Sequence, residues 1–319
     1  IKIGGQQLNT DVRTELERYD WQNARWTDTK LIASSPFRYD RSPSFFVNLD
    51  EESEYYGCWA DSGALDDEWA SGGFVKLLSF LRNETVEETV DYLLFLYSRE
   101  FSDEIKLPLL QLPVKRSRTP LDESILRPYM FRHKYLERRG ISESTQRLMG
   151  VGYDRQRKAI TMPWRLPDGS LANIKYRRVD SKVFWYEKGG WPVRDLVYGI
   201  CVIYRKRLDY AVLCEAEIDA MSFMSVGVPA ISTGHGHISK EQAEVIRRSP
   251  LQTLCVCTDN DTVGKNLRKA IRRELSGYVQ IIDVFIPKHY KDANEALING
   301  TDLRNLKEIS SVNKTLVRV

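Results

Sequence analysis

Acidic side chains follow two apolar runs in the last third of the chain, in a pattern that suits metal-dependent phosphate chemistry. Glu215 directly follows the run 211–214. Asp259 directly follows the run 251–258, and Asp261 stands two residues further on. Asp259 and Asp261 stand two residues apart, so an extended backbone would point both to one side. Clustered carboxylates repel each other unless a hard cation neutralises them, and Mg²⁺ prefers oxygen ligands. Because such a cation polarises a phosphate and activates an attacking oxygen, these residues predict phosphodiester chemistry with Mg²⁺ or Mn²⁺.

The elements that must position these acids alternate in type. Four short apolar runs are separated by three stretches in which apolar residues recur with helical spacing. The runs lie at 211–214, 229–232, 251–258 and 279–287, and the helical stretches lie at 218–226, 239–248 and 264–275. Short strands that alternate with helices predict a parallel β-sheet with helices on both faces.

A parallel sheet would bring the acids together at one edge. The carboxyl ends of parallel strands lie on the same side, where ligands bind, so Glu215 should meet Asp259 and Asp261 there. Asp292 follows the fourth run and Asp219 follows Glu215 in the same segment, so we expect both as further metal ligands. The alternative explanation is that these acids cap helices, as Asp commonly does. Acids after three strands of one sheet favour the metal site.

The rest of the chain divides into modules. Pro108, Pro113 and Pro120 indicate a linker, because proline removes helix donors and restricts the residue before it. We expect a multidomain protein of α+β and α/β class. The expected parts are an N-terminal module at 1–100, a linker at 101–120, a mixed α+β subdomain at 121–206, a parallel-sheet α/β domain at 207–300 and a tail at 301–319.

Local patterns predict further elements in the first two modules. Strands are predicted at 44–49 and 54–59, and two helices between 74 and 97 that are separated near Asn83. A hairpin is predicted from strands at 159–164 and 171–177, because a Pro-Asp-Gly turn signal lies between them.

Charge and cysteine content restrict the class of protein. Residues 1–100 carry 10 Lys/Arg against 19 Asp/Glu, whereas residues 101–319 carry 37 against 25. The basic second part could attract a polyanion, although charged faces that only contact solvent are the alternative. No run approaches the roughly 20 apolar residues of a membrane span. Five Cys without a CxxC pair argue against a disulfide framework, so a reducing cytoplasm is expected.

Several segments resemble one known domain. The first three are 212–219 (VLCEAEID), 233–236 (TGHG) and 259–261 (DND). Together they resemble the Toprim domain, which primases, topoisomerases and some nucleases share, although that family usually has Gly where Ala216 stands. A fourth segment, 291–297 (KDANEAL), is similar to phage primase–helicases, and many bacterial primases have a second Asp where Asn294 stands. The resemblance implies that Glu215, Asp259 and Asp261 are catalytic.

Upstream segments resemble the N-terminal half of a primase RNA polymerase domain. They include 135–142 (YLERRGIS), 150–153 (GVGY) and 196–199 (LVYG). Basic residues of that domain bind template and incoming nucleotide, and the resemblance transfers this role to Arg177, Arg178 and Lys182. These residues come just after a predicted strand, where Arg can bind phosphate with two donors. Exposed charges at a strand end are the alternative.

The N-terminal module resembles the zinc-binding domain of primases, with changed chemistry. Segments 35–38 (SPFR), 42–45 (SPSF) and 56–58 (YGC) follow its pattern. The family's zinc ligands would stand at Ser35, Arg38, Cys58 and Asp61. Only Cys58 is a good ligand, and a structural zinc site needs four N or S donors. We therefore predict a zinc-ribbon-like module without zinc, held together by its aromatic core.

These resemblances imply a DNA primase that makes short RNA primers on single-stranded DNA from NTPs. They also imply a separate replicative helicase as partner and a cytoplasmic location in a bacterium or a phage-infected host. Two alternatives stay open: a Toprim-type nuclease, and a non-catalytic, primase-derived subunit that binds DNA or regulates another enzyme. A topoisomerase is disfavoured because no domain with a nucleophilic tyrosine accompanies the acids. The sequence contains no Gly-x-x-x-x-Gly-Lys-Ser/Thr loop of a helicase motor.

Overall fold

The computed structural model describes residues 1–3, 6–97, 118–307 and 309. Contacts divide the chain into two compact units. The first comprises Ile1–Thr119 with Asp180–Trp185, and the second comprises Pro120–Val179 with Tyr186–Val319. Most of the predicted linker at 101–120 and most of the predicted tail at 301–319 lie outside the described residues.

The first unit contains a five-stranded antiparallel sheet and two longer helices. Its elements, in chain order, are β1 (Lys2–Ile3), β2 (Gln6–Gln7), α1 (Val12–Leu16), β3 (Arg25–Trp26), β4 (Lys30–Ala33), β5 (Phe45–Asn48), β6 (Trp59–Asp61), β7 (Ser71–Gly72), α2 (Phe74–Arg82) and α3 (Val86–Tyr97). Strands β3 to β7 pair in sequence order, each antiparallel to the next. Strands β1 and β2 form a separate short pair.

An aromatic core holds the first unit together. Alternation along β5 buries Phe45 and Val47 and leaves Phe46 exposed, as expected when one face of a sheet is covered. The ring of Phe37 lies 5.8 Å from that of Phe45 and 4.7 Å from that of Trp59. Aromatic side chains bury large apolar areas, so this cluster is the aromatic core that we expected for the module.

Two sequence predictions in the first unit have different outcomes. The helices predicted between 74 and 97 are confirmed as α2 and α3, and Asn83 ends α2 with a positive φ of 55°. The strand predicted at 54–59 is wrong. The chain turns there, since Tyr56 N–H donates to the carbonyl of Ser53 (3.0 Å) and Gly57 has a φ of 79°. The strand begins only at Trp59.

The first half of the second unit contains three short α-helices and an antiparallel sheet. Its elements are α4 (Lys134–Arg138), α5 (Glu143–Met149), β8 (Gly152–Asp154), β9 (Ala159–Arg165), β10 (Leu171–Arg178), β11 (Phe184–Tyr186), which straddles the boundary between the units, and α6 (Ile200–Lys206). The predicted hairpin is confirmed, because β9 pairs antiparallel with β10. Strand β8 pairs antiparallel with the other side of β9.

The second half of this unit is the predicted alternating sheet. Its elements are β12 (Tyr210–Cys214), α7 (Glu217–Ser225), β13 (Ala230–Ser232), α8 (Lys240–Arg247), β14 (Thr253–Val256), α9 (Thr262–Leu275), β15 (Gln280–Asp283) and α10 (Ala293–Ile298). The four strands lie in the order β13-β12-β14-β15, and every neighbouring pair is parallel.

Helices cover both faces of the parallel sheet, as predicted. On one face, Val212 and Cys255 share a core with Met221 of α7. On the other face, Leu213 shares a second core with Ile271 of α9. Both faces are therefore apolar, which explains the near-continuous hydrophobic runs of the strands. Among the described residues, no helix is long and apolar enough to cross a membrane.

Candidate active site

The three acids proposed as catalytic all lie at the carboxyl edge of the parallel sheet. Glu215 occupies the turn between β12 and α7, and Asp259 follows β14. Asp261 precedes α9 and accepts a hydrogen bond from Gly264 N–H (2.9 Å). Strands β12 and β14 are neighbours, so the two acidic segments lie side by side, as the sequence predicted.

The electrostatics of this edge are those of neighbouring, partly buried carboxylates. Burial raises the pKa of Glu215 to about 8, with further contributions from the charges of Asp259 and Asp261. Burial also raises the pKa of Asp259 to about 7, and the charges of Asp292 and Asp261 add to the shift. Glu215 Oε2 is buried without a hydrogen-bond partner. The edge is therefore a set of mutually repelling acids with unused acceptor capacity.

Two further acids, Asp219 and Asp292, belong to the same cluster. Asp219 is buried in the first turn of α7, and its pKa lies well above the usual value because of burial and then the charges of Asp292 and Asp259. Asp292 caps α10 and accepts a hydrogen bond from Glu295 N–H (2.7 Å). The capping explanation is thus correct for Asp261 and Asp292. Because each cap uses one carboxylate oxygen, it does not exclude a ligand role.

Two glycines allow the loops at this edge to approach closely. A Cβ at Gly264 would lie 2.2 Å from the carbonyl oxygen of Asp259. A Cβ at Gly236 would lie 2.2 Å from Val263 Cγ1 and 3.3 Å from Glu215 Oε1. Real Cβ atoms do not approach other atoms to 2.2 Å, so any larger residue at Gly264 must displace the Asp259 backbone.

A buried ion pair that includes Glu217, two residues after Glu215, was not predicted from the sequence. Lys175 on β10 is 4% exposed and Glu217 at the start of α7 is 3% exposed. Lys175 Nζ lies 3.0 Å from Glu217 Oε1 and 3.2 Å from Oε2. Burial lowers the pKa of Lys175, and Glu217 opposes that shift. The sequence did contain a signal for this pair, since Lys175 lies between two apolar residues of a predicted strand. A lysine buried in this way needs an anionic partner.

The three basic residues to which the resemblance assigns template or nucleotide binding do not all belong to the same unit. Arg177 and Arg178 are half-buried at the end of β10, in the second unit. The charge of Arg177 contributes to the lowered pKa of Lys175, so Arg177 lies near the buried ion pair. Lys182 belongs to the first unit, where its N–H donates to the carbonyl of Phe37 (2.8 Å). Their roles in binding template or nucleotide stay predictions.

The acidic edge fits a hard cation by the chemistry of its donors. Among the described residues, no three His, Cys, Asp or Glu side chains already converge as a metal-ligand set. Burial and then the charges of neighbouring carboxylates nevertheless raise the pKa values of Glu215 and Asp259, and Glu215 Oε2 has no hydrogen-bond partner. A divalent cation would offset this repulsion, and Mg²⁺ usually takes only one or two carboxylates with water and phosphate. Which acids bind a cation stays a prediction.

The positions of the family's zinc ligands in the first unit contain an ion pair. Arg38 Nη2 lies 3.1 Å from Asp61 Oδ1 and 3.1 Å from Asp40 Oδ2. Burial would raise the pKa of Asp61, but hydrogen bonds from Arg38, Ser35 and other donors lower it below the usual value. Three of the four positions thus contribute to one charged network, whereas Cys58 is a half-buried free thiol.

Comparisons with known proteins agree with this geometry. A family described as Toprim-like matches residues 212–297. The structure is similar to the Aquifex aeolicus primase (zinc-binding and RNA polymerase domains), with 15% identity, 98% of this chain and 86% of that chain covered, and a TM-score of 0.50. It is also similar to the primase fragment of the bacteriophage T7 primase–helicase, with 22% identity, 61% and 84% covered, and a TM-score of 0.45.

A relative found by sequence is an uncharacterized protein of Mycoplasma genitalium. It is 26% identical over 184 residues, which cover 53% of this chain and 80% of the relative. The Toprim-like match spans the acids of the sheet edge, and the Aquifex match spans nearly the whole chain. The chain therefore contains a Toprim-like domain at residues 212–297 and has the mixed α+β fold of a primase, with an antiparallel sheet and a parallel sheet.

Proposed function

We propose that this protein is a DNA primase that synthesises short RNA primers on single-stranded DNA by metal-dependent nucleotidyl transfer from NTPs. The observation that carries the proposal is the cluster of Glu215, Asp259, Asp261, Asp219 and Asp292 at one sheet edge. Within it, burial and then the charges of neighbouring acids raise the pKa values of Glu215, Asp219 and Asp259. The fold shared with a primase supports the same conclusion.

The acids would have distinct roles in this reaction. Asp259 and Asp261 would hold a divalent cation, and Asp219 and Asp292 would complete or support the ligand set. When bound, Mg²⁺ or Mn²⁺ stabilises negative charge on the reacting phosphate. Glu215 is the candidate proton acceptor for the attacking 3′-hydroxyl, since its pKa of about 8 is near a working pH and its Oε2 has no partner.

An aromatic and basic surface on the second unit supports binding of a single-stranded template. The guanidinium of Arg155 lies 3.7 Å from the ring centroid of Phe131, which is 42% exposed. The rings of His133 and Tyr153 also stack on each other, with centroids 4.4 Å apart, and each lies two residues in sequence from a member of the first pair. Exposed aromatic and Arg side chains are the groups on which unpaired bases stack. Arg177 and Arg178 would contribute phosphate contacts on this unit, and Lys182 is proposed to bind template or nucleotide from the first unit.

The proposed partners and location follow from this activity. A primase acts where a helicase exposes single strands, so we propose a separate replicative helicase as partner. We also propose a cytoplasmic location, in a bacterium or a phage-infected host. Co-purification with the replicative helicase of the host would test the first proposal, and its absence under conditions that support priming would refute it.

Primer synthesis is tested with labelled NTPs, single-stranded DNA and Mg²⁺ or Mn²⁺. We expect short RNA products that require template, and their loss in Asp259→Asn and Asp261→Asn proteins. Asp209→Asn is the matched control, since Asp209 precedes β12 at the opposite end of the sheet. Cleavage of nucleic acid without NTPs would identify a nuclease instead. DNA binding with neither reaction would identify a non-catalytic subunit.

A further inference from the structure

A buried amide behind the acidic edge connects three elements. Asn294 lies in the first turn of α10 and is 3% exposed. Its backbone N–H donates to Asp219 Oδ1 (2.9 Å). The polar atoms of its side chain make hydrogen bonds with Arg139 and Ser222.

The polar atoms of this amide are used by Arg139 and Ser222. Asn294 Oδ1 accepts a hydrogen bond from Arg139 Nη1 (3.0 Å). Asn294 Nδ2 donates to the carbonyl of Arg139 (2.8 Å) and to Ser222 Oγ (2.9 Å). Ser222 Oγ in turn donates to the carbonyl of Ile218 (2.8 Å). The side chain therefore joins the end of α4 to α7 and α10.

The elements around this junction pack closely. A Cβ at Gly140, next to Arg139, would lie 3.1 Å from Leu297 on α10. Ser142 N–H donates to Ser225 Oγ on α7 (3.0 Å). The turn after α4, which we call the Arg139 corner (residues 139–142), thus contacts both α7 and α10. The N-terminal ends of these helices carry Asp219 and Asp292. A shift of α10 at this point would move two acids together: Asp292, its N-cap, and Asp219, which Asn294 N–H contacts.

Only an amide satisfies all of these contacts. The carbonyl of Arg139 needs a donor, while Arg139 Nη1 needs an acceptor, and Asn supplies both from one side chain. Asp has the same shape but no donor, so its second oxygen would face the carbonyl of Arg139. A buried acceptor left without a donor is destabilising, and the structure would relieve this by moving the first turn of α10.

We propose that Asn294 is a positioning residue of the candidate active site, which anchors α10 to the Arg139 corner and so holds Asp219 and Asp292 in place for cation binding. The inference rests on the proposed function only in that the acidic edge binds a divalent cation. Primer synthesis is not needed to test it. Groups that support metal ligands typically change metal affinity by about 10- to 100-fold when removed.

The test measures Mn²⁺ binding to the full chain by electron paramagnetic resonance of free Mn²⁺, without nucleotide or DNA. We compare wild type with Asn294→Asp and Asn294→Ala, and expect Mn²⁺ affinity to fall by about 10-fold or more in both. Asn299→Asp is the matched control, because Asn299 is an exposed residue at the other end of α10. It adds the same charge and should keep wild-type affinity. Thermal unfolding in chelator checks that each variant is folded.

The outcomes separate this inference from the proposed function. Wild-type Mn²⁺ affinity in folded Asn294→Asp and Asn294→Ala proteins would overturn the positioning role, whatever the enzymatic activity. If these variants do not fold, Arg139→Gln decides, because it removes the guanidinium that donates to Asn294 Oδ1 and leaves the Asn294 amide in place. Tyr135→Leu is its control, since the same guanidinium also lies over the Tyr135 ring. Reduced affinity in Arg139→Gln alone supports the role, and unchanged affinity refutes it. Mn²⁺ binding without primer synthesis in the wild type would refute the primase proposal and leave the Asn294 result intact.

Discussion

Lys175 Nζ lies 3.0 Å from Glu217 Oε1, and both side chains are almost completely buried. Lys175 belongs to the antiparallel sheet, whereas Glu217 begins the helix that follows Glu215. The ion pair thus connects the antiparallel sheet to the start of α7, two residues after Glu215. Two charges that have lost their water must stay paired, so this contact restricts where the segment from Glu215 to Asp219 can lie.

Breaking this ion pair on one side should destabilise the protein strongly. Lys175→Met leaves Glu217 buried without a counter-charge, and the expected loss is about 3–5 kcal/mol in the free energy of unfolding. The double variant Lys175→Met/Glu217→Met should recover most of it, since apolar replacements of a buried pair are often neutral. Urea denaturation measures both. Lys240→Met, on the exposed first turn of α8, is the control, and equal stability of the two single Lys variants would contradict the prediction.

The stability of the metal-free protein should fall as pH rises through neutrality. The pKa values of Glu215 and Asp259 are raised from 4.5 and 3.8 to about 8 and about 7. A carboxyl with a raised pKa holds its proton in the folded state after the unfolded chain has lost it. The stability that this bound proton contributes is complete below the pKa of the carboxyl in the unfolded chain. It is lost as pH rises through the higher pKa of the same carboxyl in the folded protein.

Thermal unfolding in chelator between about pH 5 and pH 9 checks this expectation. The midpoint should decrease with pH in the wild type, decrease less in Glu215→Gln, and rise again on addition of Mg²⁺ at the high end, where the acids are ionised. The same stability profile with pH in Glu215→Gln and wild type would rule out a raised pKa at Glu215.

Gly264→Ala should reduce activity with little effect on the other elements. The added Cβ would lie 2.2 Å from the carbonyl oxygen of Asp259, so the Asp259 loop must move away from α9. Displacing a catalytic group by about 1 Å can cost about 100-fold in rate, and we expect a loss of primer synthesis of that order. Gly73→Ala is the control, because a Cβ there meets no atom within 4 Å. Full activity of Gly264→Ala would show that the loop tolerates the shift.

The Arg38–Asp61 pair should stabilise the first unit in place of zinc. Asp61 is buried and Arg38 is its main cationic partner, so Arg38→Met should cost about 3 kcal/mol in unfolding free energy. A zinc-selective chelator should leave the unfolding of the wild type unchanged, and metal analysis should find less than one zinc per chain. Stoichiometric zinc would refute the zinc-less prediction. The exposed Arg41 provides the control variant Arg41→Met.

The acids of the sheet edge could be found from the sequence because local patterns determine them. Strand and helix periodicities are readable over a few residues, and the carboxyl ends of parallel strands must share one edge. Glu215, Asp259 and Asp261 were therefore predictable, together with Asp219 and Asp292. The strand predicted at 54–59 was wrong because turn hydrogen bonds at Ser53 and Tyr56 overrode the local pattern.

Contacts between distant residues were decided only by the tertiary structure. Lys175 and Glu217 are 42 residues apart, and Asn294 and Arg139 are 155 residues apart. Neither separation has a periodicity that a sequence pattern could show. A buried Lys or Asn needs a hydrogen-bonding or charged partner, but the identity of that partner depends on how distant elements of the chain pack together. The sequence thus determined the acids and the edge on which they meet, whereas the three-dimensional packing decided which buried polar groups hold them there.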